Sequence, residues 1–595
     1  MTQFEVGERD FVLDGRPVRL LSGALHYFRV HEAQWDHRLA MLRAMGLNCV
    51  ETYVPWNLHE PRPGEFRDPE ALGRFLDAVR AAGLWAIVRP GPYICAEWEN
   101  GGLPHWLTGP LGPRVRTRDA AYLRAVDAWF ARLLPQVVAR QCTAGGPVIM
   151  VQAENEYGSY GSDGVYLAHL VDLLRELGVR VPLFTSDGPE DHMLSGGAVP
   201  GLPATANFGS GAREALAALR RHQADGPLMC MEFWCGWFAH WGQAPAPRAP
   251  EDAAAALREI LECGASVNVY MAHGGTNFGG WAGANRAGEL HDGALRSTVT
   301  SYDYGAPVDE HGRPTEKFWR FREVLAEWAD GPLPRVPEPL RVLPAPVRAV
   351  VGEWACAQDV MEALGGVEVE GGGPATFEEL GVDRGVVRYR VAVPGPRGRY
   401  PLRVSGLRDR AVVYVDGVRG PVVEGEDAVL GEVAGPASVE VWVASLGRVN
   451  YGPRLGESKG ITGGLLHERQ YLHGVRSRGL RLDAMENAGA LAKVPFRAAE
   501  GAGGAVGLYR GTVTVDGRPG DADLALPGWS HGFAWINGFC LGRYWALGPQ
   551  RTLYVPGPVL REGDNELLLW EWEGAPALVG EEAGAPGLYP CATGG

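Results

Sequence analysis

Lysine is nearly absent from this chain, although basic residues are not. Only Lys317, Lys459 and Lys493 occur, so arginine supplies almost all of the 56 basic residues. Acidic residues number 71, which leaves a formal net charge of −15 at pH 7. This charge opposes binding to nucleic acid or to an anionic membrane surface, because phosphate groups would be repelled. We therefore expect neither a nucleic acid nor a membrane as partner.

Long apolar runs, paired cysteines and metal-ligand motifs are also missing. No run of about 18 apolar residues occurs, and the opening MTQFEVGERDF lacks the basic and apolar regions of a secretory signal. The nine cysteines are scattered without a CxxC pair, which is typical of reduced thiols, so we expect a cytoplasmic protein. The 15 histidines show no HExxH-like spacing. The sequence therefore implies no metal and no cofactor.

The first 330 residues or so alternate between short β-rich runs and helical patterns. The strand candidates cover residues 18–25, 48–55, 84–89, 148–154, 181–186, 204–208, 228–233 and 266–271. Eight strands separated by helices predict a (β/α)8 TIM barrel. The alternative, a doubly wound open sheet, lacks support because no Gly-rich dinucleotide fingerprint follows any strand.

The remainder of the chain has a different pattern. Residues 331–347 are rich in proline, and beyond them lie alternating strands punctuated by glycine, which are typical of antiparallel β-sandwiches. A chain of 595 residues also exceeds what one core supports. We predict a catalytic barrel over 1–335, a linker and extended segment over 336–380, and jelly-roll-like β-sandwich domains over 381–470 and 471–595.

Two predicted barrel strands end in carboxylates. The strand beginning at Val148 runs into Glu154 and Glu156, and the strand over 228–231 runs into Glu232. Active sites of such barrels lie at the carboxyl ends of the strands, and these would be the fourth and the seventh. Glycoside hydrolysis needs two carboxylates across one bond, about 5–5.5 Å apart in retaining enzymes. Either glutamate alone is more often a salt-bridged structural residue, but the pair together favours catalysis.

The run over 145–157, GGPVIMVQAENEY, resembles the signature of glycoside hydrolase family 35, the β-galactosidases. The resemblance extends along most of the chain. Further matching segments are 24–29, 52–57, 89–98, 274–278, 300–304, 542–545 and 548–550. The loops after Trp281 depart from the family pattern, and we expect them to line the aglycone side of the site.

The resemblance implies roles for individual residues. Glu156 matches the proton donor and Glu232 the nucleophile, while Asn155 matches the residue that holds the sugar 2-hydroxyl. Contacts to the galactose hydroxyls are implied for Tyr53, Glu97 and Tyr304. Glu154 is expected to be structural and, from strand parity with Glu156, to point inward one layer deeper.

Two further aromatic residues are expected at the mouth of the barrel. Tyr270 is expected near the nucleophile, and Trp237 is expected as an apolar floor under the sugar ring. For both residues, packing at the barrel mouth is an equally good explanation.

The implied activity is removal of terminal β-galactosyl units from small galactosides by a retaining double displacement, with a small-molecule carbohydrate as the partner. Preference for another β-hexoside, such as a β-glucosaminide, stays open, as does an inactive sugar-binding protein. A barrel isomerase or aldolase lacks support, because no predicted strand ends in lysine and no metal-ligand set occurs. The sequence leaves open whether the protein is a homo-oligomer.

Overall fold

The first half of the protein is a closed barrel of eight parallel strands. The computed structural model describes residues 2–500, 502, 504–576 and 585–591. The barrel strands are β1 Leu21–Leu25, β2 Cys49–Tyr53, β3 Trp85–Arg89, β4 Val148–Gln152, β5 Leu183–Asp187, β6 Ala204–Phe208, β7 Met229–Trp234 and β8 Ser266–His273. Each strand pairs with the next in sequence, and β8 pairs with β1. The predicted TIM barrel is confirmed, including its weakest strand candidate over 204–208.

A helix follows each barrel strand. These helices are α1 Trp35–Met45, α2 Ala71–Ala81, α3 Ala120–Val138, α4 Gly164–Glu176, α5 Asp191–Gly197, α6 Ala212–His222, α7 Pro250–Glu262 and α8 Glu316–Ala326. Helix α1 ends at Gly46, whose φ of 116° is accessible to glycine at little cost. Helix α3 begins after Asp119, whose carboxylate accepts hydrogen bonds from two backbone N–H groups of the first turn. Shorter helices, Trp56–His59 and His105–Leu111, lie in the loops after β2 and β3.

The barrel strands are buried along almost their whole length. Every residue of β1, β2, β4, β5, β6 and β8 is buried. Burial between lumen and helices explains why these strands read as continuous apolar runs rather than as alternating ones. Because the strands are parallel, polar residues at their carboxyl ends all meet at one mouth of the barrel.

Two antiparallel sheets make up most of the remainder. The first β domain is built on an eight-stranded sheet with the strands Val369–Gly371, Val475–Arg481, Gly385–Arg408, Asp427–Ala444, Arg410–Val415, Val418–Glu424, Gly460–His467 and Gln470–Tyr471. The terminal β domain is built on a nine-stranded sheet with the strands Phe539–Trp545, His531–Ile536, Gly563–Glu571, Gly507–Val515, Val347–Cys356, Gly587–Pro590, Ala522–Ala525, Thr552–Val555 and Arg497–Ala498.

In these two β domains, a strand does not always belong to the sheet of its neighbours in the chain. Val347–Cys356, inside the predicted linker, pairs with Gly507–Val515 and so belongs to the terminal sheet. Val475–Arg481, inside the predicted second sandwich, pairs with Gly385–Arg408 in the first sheet. One apolar cluster contains Trp442 of the first sheet and Trp570 of the terminal one, so the two domains share a core. Sheet pairing between distant segments has no local sequence signal, which is why the composition did not show it.

Two further observations concern membranes and cysteines. Among the helices that the described residues form, none is long and apolar enough to cross a membrane. All nine cysteines are free, and six of them are buried.

Candidate active site

A cavity of about 380 Å³ opens at the carboxyl ends of the barrel strands. Seven of the eight residues that the sequence proposed for the site line this cavity. They are Tyr53, Glu97, Glu156, Glu232, Trp237, Tyr270 and Tyr304. The eighth, Asn155, is buried next to it and contacts Tyr53. The residues come from loops and strand ends far apart in sequence, and the barrel topology brings them together.

Glu232 is surrounded by hydrogen-bond donors. It lies near the end of β7, and its Oε1 accepts from Nη2 of Arg89 at 2.7 Å and from the hydroxyl of Tyr53 at 2.8 Å. Its Oε2 accepts from Nε1 of Trp234 at 3.1 Å. Arg89 is permanently charged and fully buried, so its pairing with Glu232 compensates the burial of both. Three donors on one carboxyl fit an ionised carboxylate held in a fixed orientation.

Glu156 has a different environment. It follows the end of β4 in a left-handed backbone conformation, with φ of 45°. Its carboxyl accepts one hydrogen bond, from Nδ2 of Asn207 at 3.0 Å, and its backbone N–H donates to the carbonyl of Ser186 at 3.0 Å. Desolvation by the surrounding protein and, to a smaller extent, the nearby charge of Glu232 together raise the pKa of Glu156 to about 8. The hydrogen bond from Asn207 opposes this shift only in part.

The two glutamates therefore differ in what they can do. Glu156 keeps its proton near neutral pH and is available as a donor, whereas Glu232 is held by a cation and two further donors. Two titratable groups whose environments separate their protonation states are the usual arrangement of an acid and a nucleophile or base.

Glu154 lies outside the cavity. Its carboxylate forms a bidentate pair with Arg116, at 2.7 and 3.0 Å, and accepts from the hydroxyl of Tyr166 on α4 at 2.8 Å. The expectation that it points inward from parity with Glu156 is wrong. Strand β4 ends at Gln152, and φ is 60° at Glu154, so the alternation of a strand does not apply there.

Asn155 is held in place by hydrogen-bond donors. Its Oδ1 accepts from Arg89 at 2.6 Å and from Gln152 at 3.2 Å, and it lies 2.9 Å from the Tyr53 hydroxyl, whose single proton is shared with Glu232. Its Nδ2 is buried and has no partner among the residues that the structure describes. A buried donor without a partner is costly, so this N–H group is available for a ligand hydroxyl.

Glu97 lies on the loop after β3 in strained backbone. Cys95, Ala96 and Glu97 all have φ between 48° and 55°, a region that residues with a side chain rarely adopt in succession. The carboxylate of Glu97 accepts a short hydrogen bond from the hydroxyl of Tyr302 and a long one, 3.5 Å, from Nδ2 of Asn450. Burial raises the pKa of Glu97 to about 7, with Tyr302 opposing the shift. Backbone strain held at a cavity-lining carboxylate indicates a functional role.

Aromatic rings form the cavity walls. The rings of Tyr270 and Tyr304 meet edge to face with centroids 5.7 Å apart. Trp237 stacks on Phe238 at 4.9 Å and is 44% exposed, so it lies at the rim. Apolar ring faces of this kind suit the C–H faces of a sugar.

Several site residues were missed in the sequence. Arg89 is the last residue of β3, so the rule that found the glutamates at strand ends would also have found it. Asn207 lies near the end of β6 by the same rule. Tyr451 lines the cavity from the first β domain, and nothing local in the sequence points to it.

One group outside the cavity has metal-ligating side chains. His311, Asp523 and Cys591 have ligand atoms within 4.8 Å of one another. His311 Nε2 lies 3.1 Å from Asp523. Burial lowers the pKa of His311, but hydrogen bonds to Asp523 and Cys591 outweigh this and raise the pKa to about 11, so this group is explained as a hydrogen-bonded contact between the barrel and the terminal β domain.

A barrel of this kind, with two glutamates of unlike environment in an aromatic cavity, fits a glycoside hydrolase. Comparisons with known proteins agree. The family model "Glycosyl hydrolases family 35" matches residues 10–328, "Beta-galactosidase, first all-beta domain" matches 374–481, and "Beta-galactosidase, galactose-binding domain" matches 506–565. The chain belongs to glycosyl hydrolase family 35.

Similar proteins cover nearly the whole chain. A Beta-galactosidase-1-like protein of Mus musculus is 39% identical over 95% of this chain and 88% of its own length. A beta-galactosidase of Xanthomonas manihotis is 39% identical over 92% of this chain and 90% of its own. The beta-galactosidase of Homo sapiens is 36% identical over 97% of this chain and 88% of its own. The family assignment therefore extends over the barrel and both β domains.

Proposed function

We propose that the protein is a retaining exo-β-galactosidase, with Glu232 as nucleophile and Glu156 as acid and base. The contrast between the two carboxyl groups carries this proposal. Glu232 is oriented by Arg89 and Tyr53, while Glu156 has a pKa of about 8 and a single hydrogen-bond donor. The names of similar proteins support β-galactosides as substrates.

The mechanism follows from these environments. Glu232 attacks the anomeric carbon, while protonated Glu156 donates its proton to the departing glycosidic oxygen. The aglycone leaves, and a galactosyl ester on Glu232 remains. Glu156, now ionised, takes a proton from water, which attacks the anomeric carbon and releases β-galactose. The ester bond to Glu232 breaks and the carboxylate returns, still paired with Arg89.

The sugar-binding roles rest on the groups around the cavity. The free Nδ2 of Asn155 is placed to donate to the 2-hydroxyl, next to the nucleophile's partner Tyr53. Glu97, Tyr270 and Tyr304 supply acceptors and hydroxyl groups for the remaining hydroxyls. A cavity of about 380 Å³ is at the small end of ligand pockets, roughly 300–1,000 Å³, which favours one terminal sugar with part of its aglycone.

A panel of 4-nitrophenyl β-glycosides tests the sugar assignment. We expect the β-galactoside to be cleaved with the highest kcat/KM, above the β-glucoside, the β-glucosaminide and the α-galactoside. Proton NMR of the first product should show β-galactose before mutarotation. Preference for another sugar would contradict the galactoside assignment, α-galactose as first product would contradict retention, and binding without turnover would favour a sugar-binding protein.

A further inference from the structure

A β-hairpin in the loop between β8 and α8 carries Arg296 at the rim of the cavity. The charge of this arginine is not compensated by a carboxylate of the described residues. The strands of the hairpin are Ala284–Arg286 and Leu295–Ser297, with Asn285 directly opposite Arg296. Arg296 is exposed and lines the cavity, and no carboxylate among the described residues pairs with it. Glu289 and Asp292, in the turn of the same hairpin, are exposed and form no ion pair with it within the part of the chain that the structure describes.

Arg286, on the other strand of the hairpin, is a structural arginine and differs from Arg296 in its partners. Arg286 is buried and its guanidinium pairs with Glu457 at 2.8 Å and with Glu426 at 3.3 Å. Arg408 and Lys459 share Glu457 as a partner. This network joins the hairpin to the first β domain and pairs each of its cations with at least one carboxylate, so it has no free cation for a ligand.

The hairpin strands that carry Asn285 and Arg296 are held against His240. Nε2 of His240 lies 3.2 Å from Oδ1 of Asn285, and the backbone of His240 forms a β-bridge with Thr298. His240 and Arg296 both line the cavity, so Arg296 lies at its rim. Burial lowers the pKa of His240, and the charge of Arg296 lowers it further.

The hairpin lines the same cavity as the proposed acid. In the proposed mechanism the leaving oxygen takes its proton from Glu156, and Glu156, Tyr451, His291 and Arg296 all line this cavity. His291 of the hairpin meets the Tyr451 ring edge to face at 5.1 Å. Arg296 is exposed, so it lies at the rim of the cavity that holds the acid, where we expect the aglycone.

We propose that Arg296 binds an anionic group, a carboxylate or a sulfate, on the aglycone of the substrate. The inner part of the cavity holds the negative charge of Glu232, which would repel such an anion. The planar arginine fork pairs with carboxylates and with tetrahedral oxyanions through two parallel hydrogen bonds. The inference rests on the proposed glycosidase function and specifies its preferred aglycone.

The test compares matched aryl β-galactosides: 4-carboxyphenyl and 4-sulfophenyl, which are anionic, and 4-carbamoylphenyl, which is neutral and nearly isosteric with the first. For each substrate, kcat/KM of Arg296→Gln is divided by that of the wild type, so differences between leaving groups cancel. We expect a loss of about tenfold for the anionic substrates and less than twofold for the carbamoyl one. Arg296→Lys should recover part of the loss, and added salt should reduce the effect.

Arg399→Gln is the control, because Arg399 is exposed and does not line the cavity. A loss confined to one anionic substrate would identify carboxylate or sulfate as the ligand. Equal effects of Arg296→Gln on charged and neutral substrates, or no effect on either, would overturn the inference. Failure of the wild type to cleave any of the three would instead contradict the proposed function, since the carbamoyl substrate does not need the arginine.

Discussion

Two glutamates with the same chemistry acquire different roles here because their immediate neighbours differ. Glu232 receives hydrogen bonds from Arg89, Tyr53 and Trp234, whereas Glu156 receives one, from Asn207. Desolvation and the Glu232 charge then keep the proton on Glu156 up to a pH of about 8. The acid therefore needs no separate group to hold its proton before the substrate arrives.

The pH profile of the free enzyme follows from this pKa. Because Glu156 must be protonated to donate, kcat/KM should fall as pH rises through about 8. The amide of Asn207 stabilises the carboxylate and so lowers its pKa. Asn207→Ala should therefore move the basic limb of the kcat/KM profile to higher pH. A basic limb that stays in place or moves down would contradict this account of the acid.

Stability provides a readout that does not depend on turnover. A carboxyl whose folded pKa lies near 8, against about 4.5 unfolded, stabilises the protein below pH 4.5 and loses that contribution as pH rises to 8. Glu156→Gln cannot ionise, so its free energy of unfolding should increase relative to the wild type across this window, by roughly 1–3 kcal/mol. Denaturation of both proteins at pH 5 and pH 8 measures the difference. A constant difference would mean that Glu156 titrates normally.

Single residues also show the limit of sequence reasoning. Strand-end position found Glu156 and Glu232, and applied consistently it would have found Arg89. The free amide of Asn155 and the strained backbone at Glu97 depend on neighbours from other strands and loops. Those properties become visible only when the barrel is closed.

At the scale of elements, Glu154 and Glu156 lie within three residues of each other after the end of β4, but only Glu156 lines the cavity. Positive φ at Glu154 and at Glu156 turns the first toward Arg116 and Tyr166 and leaves the second in the cavity. The sequence motif identified both glutamates, but strand parity placed Glu154 on the wrong side. Parity holds only while the strand continues, and β4 ends at Gln152.

Glu154→Gln should therefore affect folding more than chemistry. It leaves the guanidinium of Arg116 buried with one charge unmatched, which costs about 3–5 kcal/mol of stability. Turnover per folded molecule should remain within tenfold of the wild type, because Glu154 does not line the cavity. Chemical denaturation and active-site titration separate the two effects.

Glu156→Gln is the matched comparison and should show the opposite pattern. Loss of a general acid costs about 10²–10⁴-fold in rate, and this variant should be no less stable than the wild type. A Glu154 variant with unchanged stability and a rate loss of that size would show that the two glutamates have been assigned the wrong way round.

At the scale of the molecule, the first β domain completes the active site. Arg448 is buried between Glu99, on the barrel loop next to Glu97, and Glu378 of its own domain, at 2.7 and 2.6 Å. The carbonyl of Asn450 accepts from the hydroxyl of Tyr93 on the same barrel loop at 2.6 Å. The domain thus braces the loop that carries Glu97.

Arg448→Met should release this brace. Two buried carboxylates lose their cation, so the free energy of unfolding should fall by about 3–5 kcal/mol. KM for an aryl galactoside should rise more than kcat falls, because the proposed role of the Glu97 loop is to bind substrate and not to transfer protons. Arg335→Met, which removes an ion pair exposed on both sides, is the control and should change neither quantity. A drop in kcat alone would contradict the bracing role.

The order of the barrel and the β domains along the chain could be predicted from the sequence. The sheet to which each strand of the β domains belongs could not. Repeated strand and helix patterns indicated the barrel, and alternation with glycine indicated the β-sandwiches. The pairing of Val347–Cys356 with Gly507–Val515 joins residues more than 150 positions apart. Side chains of both strands, such as the paired Ala349 and Val513, pack into one apolar core of the terminal domain, which local composition does not reveal.

Azide tests the roles of the two glutamates most directly. Azide is an anion that needs no general base, so in Glu156→Gln it can enter the space of the missing carboxylate and attack the galactosyl ester on Glu232. With an activated aryl β-galactoside, we expect azide to restore turnover of this variant and to yield β-galactosyl azide, identified by NMR. Formation of α-galactosyl azide would show that the nucleophile, not the acid, had been removed, and would contradict the account.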